Sequence, residues 1–418
     1  MTTAHAPWRR DIGWAAGGNA LYAVAQALQL IALARIGSAA DVGTYSLALS
    51  ISAPVFMLGS LRLSMMMASD SRGAYADSDY LRLRAMTTVL GIAVIAAIAA
   101  VGPYRGAIAL VLLLLGVAKA AESGSDLAYG ALTRAGEFRA VAVSLASRGL
   151  LTTLTTAVTF KLTGSVIAVA AAQAILWTLY LFGIDIARAR QAIARSMVVG
   201  SRVVTHRSPI VDLFLTALPL GFVSVALSVA ATIPRIALNA VGGTAMVGQF
   251  TVLAYGIVAG RTVALALSQA AMPRLGRAVA DGNRAVFVHS IWTLLKIGVV
   301  WGVLGVVATA GLGRPALQFI FGAEYAALAP ELTLVMIAAG LSYLSTFLQD
   351  ATAALREFRA LAVLVSLSTG TLLLATIILT PTGGIRGAVQ ALLLAGIVEL
   401  CGSALITAYF VTRTFRSD

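Results

Sequence analysis

Cysteine occurs once in the chain, at Cys401, so it forms no internal disulfide and no thiolate metal cluster. The three histidines, His5, His206 and His289, are too scattered to build a metal site, and no metal is expected. Charged residues make up 11% of the sequence, where a soluble domain carries about 25%. Acids are the scarcer sign, 17 against 30 lysines and arginines. A Gly-rich phosphate loop, a pair of metal-binding carboxylates and a Ser/His/Asp set are all missing. With no catalytic constellation, the expectation is a protein that is not an enzyme and carries no cofactor.

What the chain has is apolar length. Hydrophobic residues form 59% of it and its mean hydropathy is +0.92, so most of it is expected in lipid. One crossing takes roughly 20 apolar residues, which leaves room for about 12 helices and no large soluble domain. Apolar runs between polar breaks predict spans near 12–34, 44–67, 85–102, 107–129, 140–160, 164–187, 212–232, 247–272, 286–310, 329–353, 360–380 and 387–410. The amino terminus sets a basic flank before an apolar run, as a signal peptide does. The run to Ala34 is too long for one and, with Asn19, Gln26 and Gln29, too polar. It reads as an uncleaved first span, anchored in the cytoplasm by Arg9 and Arg10.

With that terminus inside, about 19 basic residues fall in one set of connecting segments and about 6 in the other. The positive-inside rule then places both termini in the cytoplasm. The net charge of +13 is spread over all the cytoplasmic segments rather than gathered in a patch, which argues against a nucleic-acid partner. The longest basic connection, 188–211, falls at the midpoint. It reads as an interfacial helix joining lobes 1–187 and 212–418, with partner docking as the other reading.

The two lobes look related. VGTYSLALS at Val42–Ser50 resembles VGQFTVLAYG at Val247–Gly256, and ALTRAGEFRAVAV at Ala131–Val143 resembles ALREFRALAV at Ala354–Val363. Each match pairs a span with the one six further on. The expected fold class is an all-α integral membrane protein with two six-helix lobes around a central cavity. Transporters built from such parallel repeats place substrate between the lobes.

Five cations remain inside the spans: Arg62, Lys119, Arg148, Arg261 and Lys296. A cation at mid-bilayer costs roughly 3 kcal/mol on insertion scales and usually faces a polar cavity. The stretch Ile233–Leu275 reads as a short polar turn, a span with Arg261 near its middle, and a Pro273–Arg274 exit. Arg261 and Lys296 are therefore expected to line the cavity; Arg62 could do so or snorkel to headgroups, and Arg148 falls between. Lys119, Glu122 and Asp126, at i, i+3 and i+7, share one helical face, either as cavity lining or as a Lys–Glu pair buried for packing. Asn19, Tyr22, Gln26 and Gln29 share a face of the first span and could line the cavity or bond between helices. Four acids, Glu122, Asp126, Asp350 and Glu399, either neutralise the embedded cations or carry a coupling proton or sodium ion. Gly17–Gly18 and Pro219 with Gly221 permit bends.

Five segments in order and at the right spacing carry a family resemblance: Arg35–Pro54, Ile233–Leu238 (IPRIAL), Val247–Tyr255 (VGQFTVLAY), Gln269–Leu275 (QAAMPRL) and Phe321–Pro330 (FGAEYAALAP). With them the whole chain resembles the Wzx-type polysaccharide (O-antigen or exopolysaccharide) flippases of the multidrug/oligosaccharidyl-lipid/polysaccharide exporter superfamily. The resemblance implies a bacterial inner-membrane protein that moves polyprenyl-diphosphate-linked oligosaccharides from the cytoplasmic to the periplasmic leaflet by alternating access. Its implied partners are that lipid-linked glycan, membrane lipids and other glycan-assembly proteins. Related lipid II flippases hold the diphosphate with lumen arginines in the second and eighth spans, where Arg62 and Arg261 stand here. Those relatives also carry two further spans that have no counterpart here, which favours a glycan repeat unit over lipid II. A diphosphate cannot cross hydrocarbon unaided, and Arg and Lys can replace its water with charge-assisted hydrogen bonds. The rival readings are a drug or metabolite exporter, which would favour acids and aromatics in the cavity, and a membrane-embedded polyprenyl-glycan polymerase, which would carry acids or a large loop outside.

Overall fold

The computed structural model describes residues 5–70, 74–196 and 209–415, and every regular element in them is helical. In order these are α1 (His5–Ile36), α2 (Ala39–Ser60), α3 (Leu63–Ser69), α4 (Asp77–Val101), α5 (Ala107–Arg134), α6 (Phe138–Thr163), α7 (Val166–Tyr180), α8 (Ile186–Ser196), α9 (Pro209–Ala280), α10 (Arg284–Ile320), α11 (Ala329–Ala354) and α12 (Phe358–Thr414). A π turn, Leu181–Asp185, joins α7 to α8.

Helices and crossings do not correspond one to one. α2 and α3 form a single run, Ala39–Ser69, and α7 with α8 another, Val166–Arg195. α9 and α12 are 72 and 57 residues long. At about 1.5 Å per residue, each far exceeds the roughly 30 Å of a hydrocarbon core. The backbone breaks α9 at Gly242 and Gly243, and α12 at Gly384. Among the described residues, 10 helices are long and apolar enough to cross a membrane. With the two broken ones each crossing twice, the protein is an all-α multi-pass membrane protein of about twelve spans.

Several boundaries differ from those expected. α4 begins at Asp77, so Arg82 and Arg84 are helical rather than part of a loop. The start is set by acids: Asp77 and Asp79 lie in the first turn, and Asp79 accepts the Ala76 N–H at 3.3 Å. Arg235 lies inside α9; the polar turn expected from Ile233 onward shrinks to the two glycines, and Pro273 does not end the helix. α1 stays helical through Gly17–Gly18, as does α9 through Pro219.

The chain forms two compact units, Met1–Ser228 and Val229–Asp418. In the first, α1 packs along α6, while α5 touches α2, α3, α4, α7 and α8. The start of α9 belongs to this unit because Leu213 and Ala217 are buried with Leu61, Leu63 and Leu127. Of the connection expected at 188–211, residues 197–208 lie outside the described residues; the part in α8 is not purely interfacial, since Ala189 and Ala192 are buried against residues of α5. In the second unit α11 packs against both α10 and α12, with Gly302 and Gly340 letting α10 and α11 approach closely.

The sequence repeat has a geometric counterpart. After α5, Gly136 takes φ 77°, its N–H reaches Thr133 O at 3.0 Å, and Glu137 N–H reaches Leu132 O at 2.9 Å. After α11, Arg356 takes φ 63°, its N–H reaches Ala353 O at 2.9 Å, and Glu357 N–H reaches Thr352 O at 3.3 Å. Both are the left-handed helix ending that satisfies the last carbonyls. In both, the next helix starts at a phenylalanine, Phe138 or Phe358.

Candidate functional site

Polar side chains of the first unit meet where α1, α5, α6 and α7 pack together. Glu122 of α5 is the hub. Its Oε2 accepts from Lys119 Nζ at 2.6 Å and its Oε1 from the Tyr22 hydroxyl at 3.1 Å, while Arg148 Nη2 lies 3.7 Å from Oε1. Arg148, on α6, is 1% exposed. Three rings surround its guanidinium, with centroids at 5.0 Å (Trp177), 5.6 Å (Tyr22) and 5.8 Å (Tyr129). Such faces stabilise a cation that has lost its water. Its Nε and Nη1 find no acceptor among the described residues.

A second layer holds these groups in place. Trp177 Nε1 donates to Thr152 Oγ1 at 2.9 Å, and the Thr152 hydroxyl donates to the Arg148 carbonyl at 2.7 Å. Tyr129 and Ser144 share a hydrogen bond of 3.0 Å, and Ser144 donates to Asp185 Oδ1 at 2.6 Å. Asp185 is fully buried in the π turn, a distortion found often at functional sites. Beside this cluster, Gln29 Nε2 reaches the Tyr45 hydroxyl, Thr156 Oγ1 and Gln173 Oε1 at 2.9, 3.1 and 3.0 Å.

Chemically, Glu122 stands between two cations in a low-dielectric surrounding, where pairing is strong and an unpaired charge is costly. Anything that neutralises Glu122 releases Lys119 and Arg148 toward another anion. The Nε and Nη1 groups of Arg148 supply donors that no group among the described residues accepts.

The other expected residues are dispersed. Asp126 keeps its place on the face shared with Lys119 and Glu122 but pairs with Arg84 of α4, at 3.2 Å, rather than with them. Arg84 itself is 3% exposed and also donates to Ser123 Oγ at 2.9 Å. Arg62 is exposed at the break between α2 and α3, where it and Leu61 take φ 53° and 48°. Asn19 is exposed and donates to Ala15 O of its own helix at 2.8 Å; Gln26 is exposed as well. In the second unit, Arg261 and Lys296 are exposed on α9 and α10. Asp350 accepts from Ser268 Oγ, and Glu399 accepts from Gln349 Nε2 at 2.7 Å with Arg261 in electrostatic range.

Arg84, Tyr129, Trp177, Gln173 and Asp185 were not singled out from the sequence. Arg84 looked like a basic flank. Gln173 and Asp185 carried a legible signal, a lone amide within and a lone acid ending the apolar run from Val166. The two aromatics carried none. Among the described residues no His, Cys, Asp and Glu group could hold a metal.

No protein-family model matches the chain. The capsular polysaccharide biosynthesis protein CapF of Staphylococcus aureus is 24% identical over 311 residues, spanning 73% of this chain and 76% of its own. Among solved structures, an inward-facing multidrug resistance MATE family transporter of the MOP superfamily superposes with TM-score 0.74 at 14% identity, covering 95% of this chain and 96% of that one. The lipid II flippase MurJ in an inward closed conformation gives 0.70 at 12% identity, covering 95% and 89%. A MOP superfamily transporter from Pyrococcus furiosus, described by a binding pocket of reverse polarity, gives 0.61 at 15% identity, covering 99% and 96%. The fold is that of this class of membrane transporters. At the level of a particular protein, the similarity at 24% identity is to a protein named for capsular polysaccharide biosynthesis.

Proposed function

We propose that this protein is a Wzx-type flippase of the MOP superfamily, which carries polyprenyl-diphosphate-linked oligosaccharide repeat units from the cytoplasmic to the periplasmic leaflet of a bacterial inner membrane. Both termini lie in the cytoplasm. The observation that carries the reading is Arg148: a guanidinium 1% exposed inside a membrane-spanning bundle, with its Nε and Nη1 left without an acceptor among the described residues. A buried polar group is normally satisfied, and donors kept open in low dielectric suit a ligand rich in anionic oxygen. The relative named for capsular polysaccharide biosynthesis and the structural neighbour named a lipid II flippase support this substrate class.

In this reading Arg148 and Lys119 hold the diphosphate, with Arg62 and Arg261 as further contacts along its route. Glu122 occupies the two cations when substrate is away, which keeps affinity modest. A proton or sodium ion taken up at Glu122 frees them, and its loss returns them to the carboxylate, which couples ion movement to alternating access. No bond of the substrate is broken, and the protein works beside other glycan-assembly proteins. The aromatic rings that an organic-cation exporter would offer its cargo are here filled by the chain's own guanidinium, which favours an anionic cargo.

The test is mass spectrometry of lipids co-purified with the wild type and with Arg148→Gln. Polyprenyl-diphosphate oligosaccharide is expected with the wild type and at least tenfold less with the variant. In a deletion strain, lipid-linked glycan should accumulate facing the cytoplasm. Ordinary phospholipids alone from both proteins would refute the substrate class, and periplasm-facing unpolymerised repeats would indicate a polymerase instead.

A further inference from the structure

α10 carries a groove of about 830 Å³ lined by Arg284, Ala285, Val288, His289, Trp292 and Lys296. Arg284, Val288, Trp292 and Lys296 recur every fourth residue, so they form one stripe along the helix. Trp292 is 59% exposed, and both basic ends of the stripe are exposed as well. Among the described residues, neither Arg284 nor Lys296 pairs with a carboxylate.

Helix length locates this stripe. α10 has 37 residues, about 55 Å, against the roughly 30 Å of a hydrocarbon core. The segment from Ile297 to Gly313 is free of charged residues and spans about 25 Å. Lys296, expected inside the 286–310 span as cavity lining, thus falls instead at the edge of the hydrocarbon, and Arg284 to Trp292 lie beyond it at headgroup level. Beyond Lys296 the same stripe continues as Val299, Val300, Val303 and Val307, all exposed. Tryptophan is enriched at the headgroup boundary, and basic residues there attract anionic lipid.

We infer that this groove is a binding site for an anionic phospholipid, whose phosphate sits between Arg284 and Lys296 with an acyl chain along the valine stripe. The site needs neither the proposed cargo nor the Glu122 cluster. Each basic residue near such a headgroup strengthens binding about fivefold. The groove carries two, with His289 beside them.

The experiment uses the full chain in nanodiscs of phosphatidylcholine doped with dibrominated phosphatidylglycerol or with dibrominated phosphatidylcholine. Quenching of Trp292 is read as the difference between the wild type and Trp292→Phe. At least a fivefold preference for the anionic lipid is expected, falling to below twofold in Arg284→Gln/Lys296→Gln. Trp301, nine residues on from Trp292 and so on the opposite face of α10, is read through Trp301→Phe and should show no such preference. The substituted side chains are exposed, and gel filtration checks that the double variant stays folded. Equal quenching of Trp292 by the two lipids, or an unchanged preference in the double variant, would overturn the site. So would stronger binding of a polyprenyl phosphate there than of phosphatidylglycerol.

Discussion

Arg148 keeps its charge inside the bundle because Glu122 supplies the counter-charge and three rings take the place of water. Removing one partner of a buried pair commonly costs about 3–5 kcal/mol, because the remaining charge is stranded. Glu122 has a side chain 24% exposed and Lys119 as a second neighbour, so a smaller penalty of about 2 kcal/mol is expected for Glu122→Gln. Adding Arg148→Gln should then cost little more. A double-mutant cycle read from unfolding in detergent should give a coupling of about 1–3 kcal/mol. Additive effects would show that the two side chains do not interact. Arg84 follows the same rule on α4, with Asp126 and Ser123 as its partners.

At the scale of elements, the two left-handed helix endings form a natural pair of tests. The first half places Gly136 at its positive φ, and the second half places Arg356. A residue with a Cβ loses roughly 1–2 kcal/mol in that region, while glycine adds about 0.4–1 kcal/mol of unfolded-state entropy. Arg356→Gly should thus stabilise the second unit by about 0.5–1 kcal/mol, visible as a raised melting temperature; a lowered one would show that the Arg356 side chain has a role of its own. The break between α2 and α3 gives the opposite sign. A Cβ on Gly130 would sit 2.6 Å from Ser64 O and 2.8 Å from Ser64 Cα, both backbone atoms that cannot swing away. Gly130→Ala is expected to cost about 1–3 kcal/mol, the range of overpacked cores. Full stability in that variant would mean that α3 can shift freely against α5.

For the molecule as a whole, orientation is the property that charge asymmetry alone predicts. Cys401 is the single cysteine and is exposed, so Cys401→Ser yields a background without thiols. Single cysteines replacing Lys161 or Arg386 should react with a membrane-impermeant maleimide in intact spheroplasts. Replacements of Arg139 or Arg277 should react only after the membrane is opened. The reverse pattern would invert the protein in the membrane and place Arg284 in the outer leaflet.

The number of spans, the all-α class and the repeat were legible because they rest on local quantities. Run length, charge per loop and the GEFRA and REFRA turns are each encoded by neighbouring residues, and backbone hydrogen bonds over four or five positions complete them. Helical period likewise put Lys119, Glu122 and Asp126 on one face. It could not say which neighbour that face would meet. Only tertiary packing turned Glu122 to Tyr22 and Arg148, turned Asp126 to Arg84, and enclosed Arg148 with Tyr129 and Trp177 from other helices. The physical reason is that a residue's azimuth on its own helix is a matter of sequence, whereas the partner across the interface depends on how helices far apart in the chain cross.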